Sequence, residues 1–312
     1  MIRKCSCERN CYTTFENLDE KIENLYECEN CKDIQIKKFS PLKDMIDFNE
    51  LTRDYKRCVC GKRPLDIVMS HILKIMIEDG IVGAKATLRK NSPIPLSDFY
   101  YSNFNLQFIN ENTLILLHPD FTKEIAAKLI NEVPEVKGVL KGSPQETVGQ
   151  LNKNSAINHF ELLGGCDIQT NVIRTLINEK IIINKQQSKH HIEVATTTES
   201  KLIKLHNHIE NNKIKKAVAV DAMCGSGAIG TYLLKYGFEK VIFNDIYPEA
   251  IENLKETLEV NGIKENYEIH NEAFEDLEIE PVDLCIIDAF PNDDTTEIIK
   301  KAEKIADNIL II

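Results

Sequence analysis

No apolar run in the chain approaches the ~18 residues that cross a bilayer, and the N-terminus lacks the apolar block of a secretion signal. Both absences lead us to expect a soluble, cytoplasmic protein with no membrane partner, in a compartment where thiols stay reduced. Basic residues are also in deficit: 38 Lys and Arg face 49 Asp and Glu, a net charge of -11. That excludes a surface that binds nucleic acid all over. The deficit is local, because residues 1–200 carry 26 basic against 27 acidic side chains, whereas residues 201–312 carry 12 against 22. Much of the acidity falls in 248–260 and 272–280, where it reads as solvated faces. An RNA-binding surface, if the protein has one, therefore belongs to the first two hundred residues. A length of 312 residues with 43% hydrophobic content suffices for two or three compact domains.

Cysteine, by contrast, is crowded. Seven of the ten lie within the first sixty residues: Cys5, Cys7, Cys11, Cys28, Cys31, Cys58 and Cys60. Among reduced thiols, such density fits metal binding better than a disulfide framework. Thiolates one or two residues apart grip an ion from a tight turn, and two such pairs complete a tetrahedral zinc site. The spacing favours a zinc ribbon of Cys28, Cys31, Cys58 and Cys60, with Cys5, Cys7 and Cys11 in a second site. An iron-sulfur cluster and structural thiols are the alternatives. Residues 1–63 thus read as a metal-binding module in which an ion staples a short polar region.

From Pro64 the pattern changes. A helix is expected over 65–77, with Ile67, Val68, Ile72, Ile75 and Met76 on one face and Gly80 ending it. His71 on this helix reads as a core or surface histidine rather than a ligand. A strand over 82–88, a hairpin of 106–109 with 113–117, a helix over 122–131 and a strand over 136–140 follow. That order suggests a small ferredoxin-like α+β domain over 64–150 that selects the substrate. The aromatics of 99–104, FYYSNF, close to Arg89 and Lys90, have a composition that suits stacking on unpaired bases, although aromatic strand residues are more often core. Residues 141–154 read as a linker or substrate loop, and 161–167 as a turn around Gly164-Gly165. Residues 172–183 read as helix then strand, and Thr196-x-x-Glu199 as a capping box opening a helix over 200–209.

Residues 217–245, AVAVDAMCGSGAIGTYLLKYGFEKVIFND, organise the rest. They read as a buried strand ending in Asp221, a turn through Gly225 and Gly227, a helix, and a second strand ending in Asp245. The glycines alone also match a dinucleotide fingerprint. Asp221, four positions before the first glycine, argues against a pyrophosphate there and suits an ammonium, while Asp245 can accept both ribose hydroxyls of a nucleoside. The stretch resembles the class I S-adenosylmethionine-dependent methyltransferases, whose first motif is acidic-x-x-x-Gly-x-Gly and whose second strand ends in the ribose-binding acid. The resemblance covers roughly 215–312. It implies a Rossmann-like domain over 151–312 that binds S-adenosylmethionine through Asp221, Cys224, Gly225, Gly227, Asp245, Ile246, Glu272 and Ala273. As thiols, Cys224 and Cys285 read as packing groups. The strand over 308–312 is the fifth, where the family has two more, so either five strands suffice or earlier strands occupy that edge.

Downstream, a buried strand ends in Asp288-Ala289-Phe290-Pro291, where the family places its acceptor-facing motif. It looks closer to the Asp-Pro-Phe-Gly of the tRNA guanosine N2-methyltransferases than to Asn/Asp-Pro-Pro-aromatic, and 244–250, NDIYPEA, shares that likeness. This implies methylation of an RNA base nitrogen, with Asp288 and Phe290 as catalytic residues: a carboxylate that handles the acceptor's proton, and an aromatic beside it. A protein side chain or small-molecule acceptor is the alternative. In other classes, a nicotinamide-dependent oxidoreductase or sensor uses the same glycines, and a non-catalytic binding or assembly module is open because the acceptor motif departs from its usual form and the sheet is short. The fold class expected is α/β: a C-terminal Rossmann-like domain preceded by a small α+β domain and a Cys-rich zinc module.

Overall fold

The computed structural model describes residue 5 and residues 11–102, 106–151, 156–290 and 293–312. Cys7, Phe104 and Pro291 lie outside them. No described helix is long and apolar enough to cross a membrane.

The C-terminal part is a five-stranded sheet of Val218–Asp221, Lys240–Asn244, Tyr267–His270, Leu284–Ile287 and Ile309–Ile311. In space they run third, second, first, fourth, fifth, all parallel. This is a doubly wound order: strands are added outward in one direction, then in the other from the first strand, which opens a crevice at the carboxyl ends of the first and fourth. Strands covered on both faces must be apolar throughout, which is why Val241, Ile242, Phe243 and the whole of Leu284–Ile287 are buried. Ile309–Ile311 forms the outer strand on that side, so among the described residues five strands make the sheet and none from the first two hundred joins it.

One face is covered by the helices Ala195–Asn212, Ala228–Lys235 and Pro248–Val260, the other by Thr296–Ile305 with Phe274 and Leu277. A second sheet of Phe99–Tyr101, Ile168–Arg174 and Lys180–Gln186 lies on the far side of the three helices. Its Ile173, Ile181 and Ile183 share one core with Leu205, Leu233 and Leu254. The expected helix within 172–183 is therefore a hairpin. Arg174 faces Lys180 across it, and Asn178 takes the positive φ of 59° that reverses the chain. Likewise the helix before the first strand opens at Ala195 rather than at a capping box, and Glu199 pairs with Arg174 at 3.5 Å instead.

A third sheet has the order Ile94–Ser97, Leu114–His118, Val136–Lys141, Glu161–Gly165, with its central pair parallel and its outer pairs antiparallel. The helices Leu65–Glu78 and Lys123–Glu132 bury Val68, Ile72, Ile75, Ile125 and Leu129 against it. Two local expectations fail here. Leu114–His118 is a central strand, paired on both edges, and Phe108–Ile109 pairs with Arg63–Pro64, so 106–117 is no hairpin. Residues 82–87 form no strand but turn into a short helix, Leu88–Asn91, capped when Thr87 Oγ1 accepts from the Lys90 N–H at 3.3 Å. Glu161–Gly165 is a strand where a turn was expected, and its position across from Val136–Lys141 carries the ladder past residue 150.

The aromatics of 99–101 belong to the second sheet. Phe99 is buried, Tyr100 Oη accepts from the Ser97 N–H at 3.0 Å, and the Arg174 guanidinium stands over the Tyr101 ring. Tied into strands in this way, Phe99 and Tyr100 are structural. The cysteine-rich segment docks through Leu42, which packs on Leu73 and Ala86. Below it, Arg57 and Arg63 reach buried Glu135 at 2.9 and 3.5 Å. His71 is part of this core, and burial, followed by the nearby Arg63 and Lys74 charges, pushes its pKa down to about 4.

Candidate functional site

The crevice at the carboxyl edge of the parallel sheet is built from the turn outward. Three glycines there do three different things. Gly225 has φ +51° and open space where a Cβ would stand, so its backbone is bare to an approaching group. Gly227, at φ +83°, caps the next helix under Leu254, and a Cβ on Gly230 would run into the Phe243 ring, so this glycine sets the helix close against the sheet.

Acids gather around that turn. Asp221 is fully buried at the end of the first strand, and its Oδ2 accepts from the Gly230 N–H at 2.9 Å. Oδ1 is buried with no hydrogen-bond partner among the described residues. Desolvation pushes this carboxyl up to about 8; the Gly230 hydrogen bond opposes the shift, and the charges of Asp288 and Asp245 add to it. Asp245, past the second strand, accepts from the Gly225 N–H with Oδ2 and the Tyr247 N–H with Oδ1, both at 2.8 Å, and burial raises its pKa too. Asp288 follows the fourth strand. Burial raises its pKa, while Lys201, at 2.7 Å, pulls it back.

Asn244 joins the strand ends by donating to the Ala222 and Glu272 carbonyls at 3.1 and 3.2 Å. Asn271 Nδ2 donates to the Asp245 carbonyl at 2.7 Å. Beside them Ile246 is 63% exposed, an apolar side chain left uncovered at the crevice rim, with Glu272 exposed and Ala273 half-buried. Cys224 is buried, its N–H donating to the Asn244 carbonyl at 2.8 Å, and burial lifts its thiol far above the ordinary value; Cys285 is pushed up to about 12 for the same reason. Both are packing groups.

The residues expected at the acceptor end meet partners that no motif announces. Lys201, from the helix Ala195–Asn212, bridges Asp288 at 2.7 Å and Glu193 at 2.8 Å. His191 stands edge-on to Phe290, with ring centroids 5.3 Å apart. The segment 142–150, expected as a linker or substrate loop, reaches the site: a Cβ on Gly149 would stand 3.4 Å from Tyr247 Cδ1 and 4.0 Å from Phe290 Cζ, and Gln150 donates to Asp293. Lys201 carries no spacing signal, because its role depends on which helix the fold brings to the strand ends, and Asn244, though it opens the 244–250 motif, has acceptors that only the fold supplies.

The thiols form two groups. Cys28, Cys31, Cys58 and Cys60 come together, with Sγ separations of 3.5 Å for Cys28–Cys58, 3.7 Å for Cys31–Cys60 and 3.8 Å for Cys28–Cys31. A tetrahedron with 2.3 Å metal–sulfur bonds has an edge of about 3.8 Å, so the four sulfurs fit one zinc-sized ion. An iron-sulfur cluster with several irons spreads its thiolates farther apart. The two knuckles are turns closed by the Cys31 N–H on Cys28 O at 3.0 Å and the Gly61 N–H on Cys58 O at 2.9 Å, with Gly61 at φ +89°. The Asn30 N–H helps pull the Cys28 thiol down to about 7, towards the thiolate a metal needs. Cys5 lies with Cys11 and Cys166.

No family model and no curated protein matches the chain. Among solved structures it is similar to wild-type Trm5b from Pyrococcus abyssi (18% identity, 63% of this chain and 55% of that one, TM-score 0.41). It is similar to the M. jannaschii tRNA m1G37 methyltransferase (17% identity, 77% and 61%, TM-score 0.45). It is also similar to P. horikoshii TYW2 in complex with MeSAdo (20% identity, 75% and 76%, TM-score 0.44). The chain thus spans less than two thirds of the first two. What its crevice binds follows from its own residues.

Proposed function

We propose that the chain is an S-adenosylmethionine-dependent methyltransferase acting on a base nitrogen of RNA, with tRNA the foremost substrate. The observation that carries this reading is the cluster of three acids, Asp221, Asp245 and Asp288, around a bare glycine turn at the crevice between the first and fourth strands. A pyrophosphate beside the carboxylates of Asp245 and Asp288 and the buried carboxyl of Asp221 is disfavoured, and with it a nicotinamide cofactor. A nucleoside with a cationic amino-acid end is attracted.

The residues present fit such a cofactor. The orphaned Oδ1 of Asp221 takes its ammonium, directly or through a water, Asp245 holds the ribose, and Ile246 covers the adenine. Once bound, the sulfonium supplies the methyl group by in-line displacement. Asp288 then receives the proton lost from the acceptor nitrogen, while Lys201 holds the carboxylate in place and Phe290 packs against the base plane. The RNA assignment rests on the Asp-Ala-Phe-Pro motif and on the balanced charge of residues 1–200. Residues 1–63 hold zinc at Cys28, Cys31, Cys58 and Cys60, residues 64–150 select the substrate and residues 151–312 bind the cofactor.

Calorimetry tests the first step. S-adenosylmethionine is expected to bind and NADH not to, and Asp245→Ala to weaken the former by about 1–3 kcal/mol, the scale of a lost charged hydrogen bond. Unchanged affinity in Asp245→Ala, or preference for NADH, overturns the reading. Transfer of labelled methyl to unmodified tRNA but not to protein tests the acceptor.

A further inference from the structure

Cys166 belongs to no sequence motif, yet its sulfur is the centre of a second thiol group. Its Sγ stands 3.0 Å from Cys5 Sγ and 3.7 Å from Cys11 Sγ, and all three sulfurs lie within 4.8 Å of one another. We propose that Cys5, Cys11 and Cys166 bind a second thiophilic divalent ion, of the zinc class, that fastens the N-terminal segment to the turn between the third and second sheets.

The geometry of both partners is built rather than incidental. Cys166 follows Gly165, whose φ of +74° and contact with the Lys137 carbonyl admit no Cβ, and the Cys166 N–H donates to that carbonyl at 2.9 Å. A Cβ on Gly138 would meet the Cys166 carbonyl, so the facing strand is also shaped to this turn. From the other side, Asn184 clamps the backbone of Thr13: the Thr13 N–H donates to Asn184 Oδ1 at 2.9 Å, and Asn184 Nδ2 donates to the Thr13 carbonyl at 2.8 Å. Thr13 Oγ1 also meets Thr170 Oγ1 at 2.8 Å. Cys11, two residues before this clamp, is thereby delivered to Cys166, and both are buried.

Three sulfurs sharing one point are more than a disulfide uses. A disulfide joins two and leaves the third buried beside it, whereas one ion satisfies all three. A site of three thiolates and a divalent ion carries one net negative charge. Zinc takes four ligands, so one position is left to a ligand outside these three.

The experiment is metal counting on the full chain purified anaerobically, by mass spectrometry of the metals and by thiolate-to-cobalt charge-transfer absorbance after cobalt exchange. Two ions per chain are expected. Cys166→Ser is expected to hold one, with the cobalt band reduced by about half, and Cys28→Ser to lose the other. Cys5→Ser, at a half-buried position remote from the sheet interior, is the companion variant should Cys166→Ser fail to fold, and it too is expected to lose one ion. One ion in both the wild type and Cys5→Ser overturns the proposal, as does a Cys5–Cys166 disulfide in the anaerobic protein. S-adenosylmethionine binding, read separately, fails or holds independently of the count.

Discussion

At the scale of single residues, Asp221 is the most consequential group. Its carboxyl is pushed up to about 8 by burial, so at neutral pH it holds a proton that an unfolded chain would release. The sign follows. Between the ordinary carboxylate pKa and about 8 the folded state binds the extra proton, so this group's contribution to stability falls as pH rises through that window and is constant above it. Placing the cofactor's ammonium beside Asp221 restores the ionised form, so binding at pH 7 is expected to release close to one proton, with affinity rising towards pH 8. Calorimetry in two buffers of different ionisation enthalpy measures this, and Asp221→Asn should abolish the release. Were wild type and variant to release the same number, Asp221 would not face the ammonium. This residue was legible in the sequence because an acid four positions before a glycine turn has a local signature. The roles of Lys201 and Cys166 were not, nor were the acceptors of Asn244, although it stands in the 244–250 motif. Each depends on a neighbour 22 to 161 residues away, and only the fold supplies that neighbour.

Among elements, the strand–turn–helix unit of Val218–Asp221 and Ala228–Lys235 was readable because burial on both faces leaves an unbroken apolar strand and the glycines interrupt it. The middle of the chain was harder. Short apolar runs such as 106–109 and 113–117 have strand composition but no local record of their partners, and they pair with Arg63–Pro64 and with Ile94–Ser97 rather than with each other. Ile173 and Ile181–Ile183 suffered the same ambiguity between helix and strand. The glycine unit offers a sharp contrast. Gly230→Ala drives a methyl group into the Phe243 ring and should lower stability by about 1–3 kcal/mol, read as a fall in the urea midpoint. Gly225→Ala meets no protein atom, but its φ of +51° strains any L side chain by about 1–2 kcal/mol, so it should cost some stability through the backbone and, in addition, cofactor affinity where the methyl group occupies the space of the ligand. Unchanged cofactor affinity in Gly225→Ala would contradict this division.

For the whole molecule, charge and architecture run in parallel. Residues 201–312 carry 12 basic against 22 acidic side chains, so the parallel-sheet part repels a polyanion, while residues 1–200 are nearly neutral. RNA retention is therefore expected to be weak and to fall with salt along a shallow slope, a few phosphate contacts' worth, when filter binding is measured over a salt series. A steep slope would indicate a basic face that this distribution of charge does not provide.

The clamp of Asn184 on Thr13 joins positions 171 residues apart. During synthesis at about 5–20 residues per second, the amino-terminal thiols wait roughly 10–30 s for their seat to emerge from the ribosome. Over that interval Cys5 and Cys11 meet whatever oxidant or metal surrounds the nascent chain before Cys166 and the Asn184 clamp can shelter them.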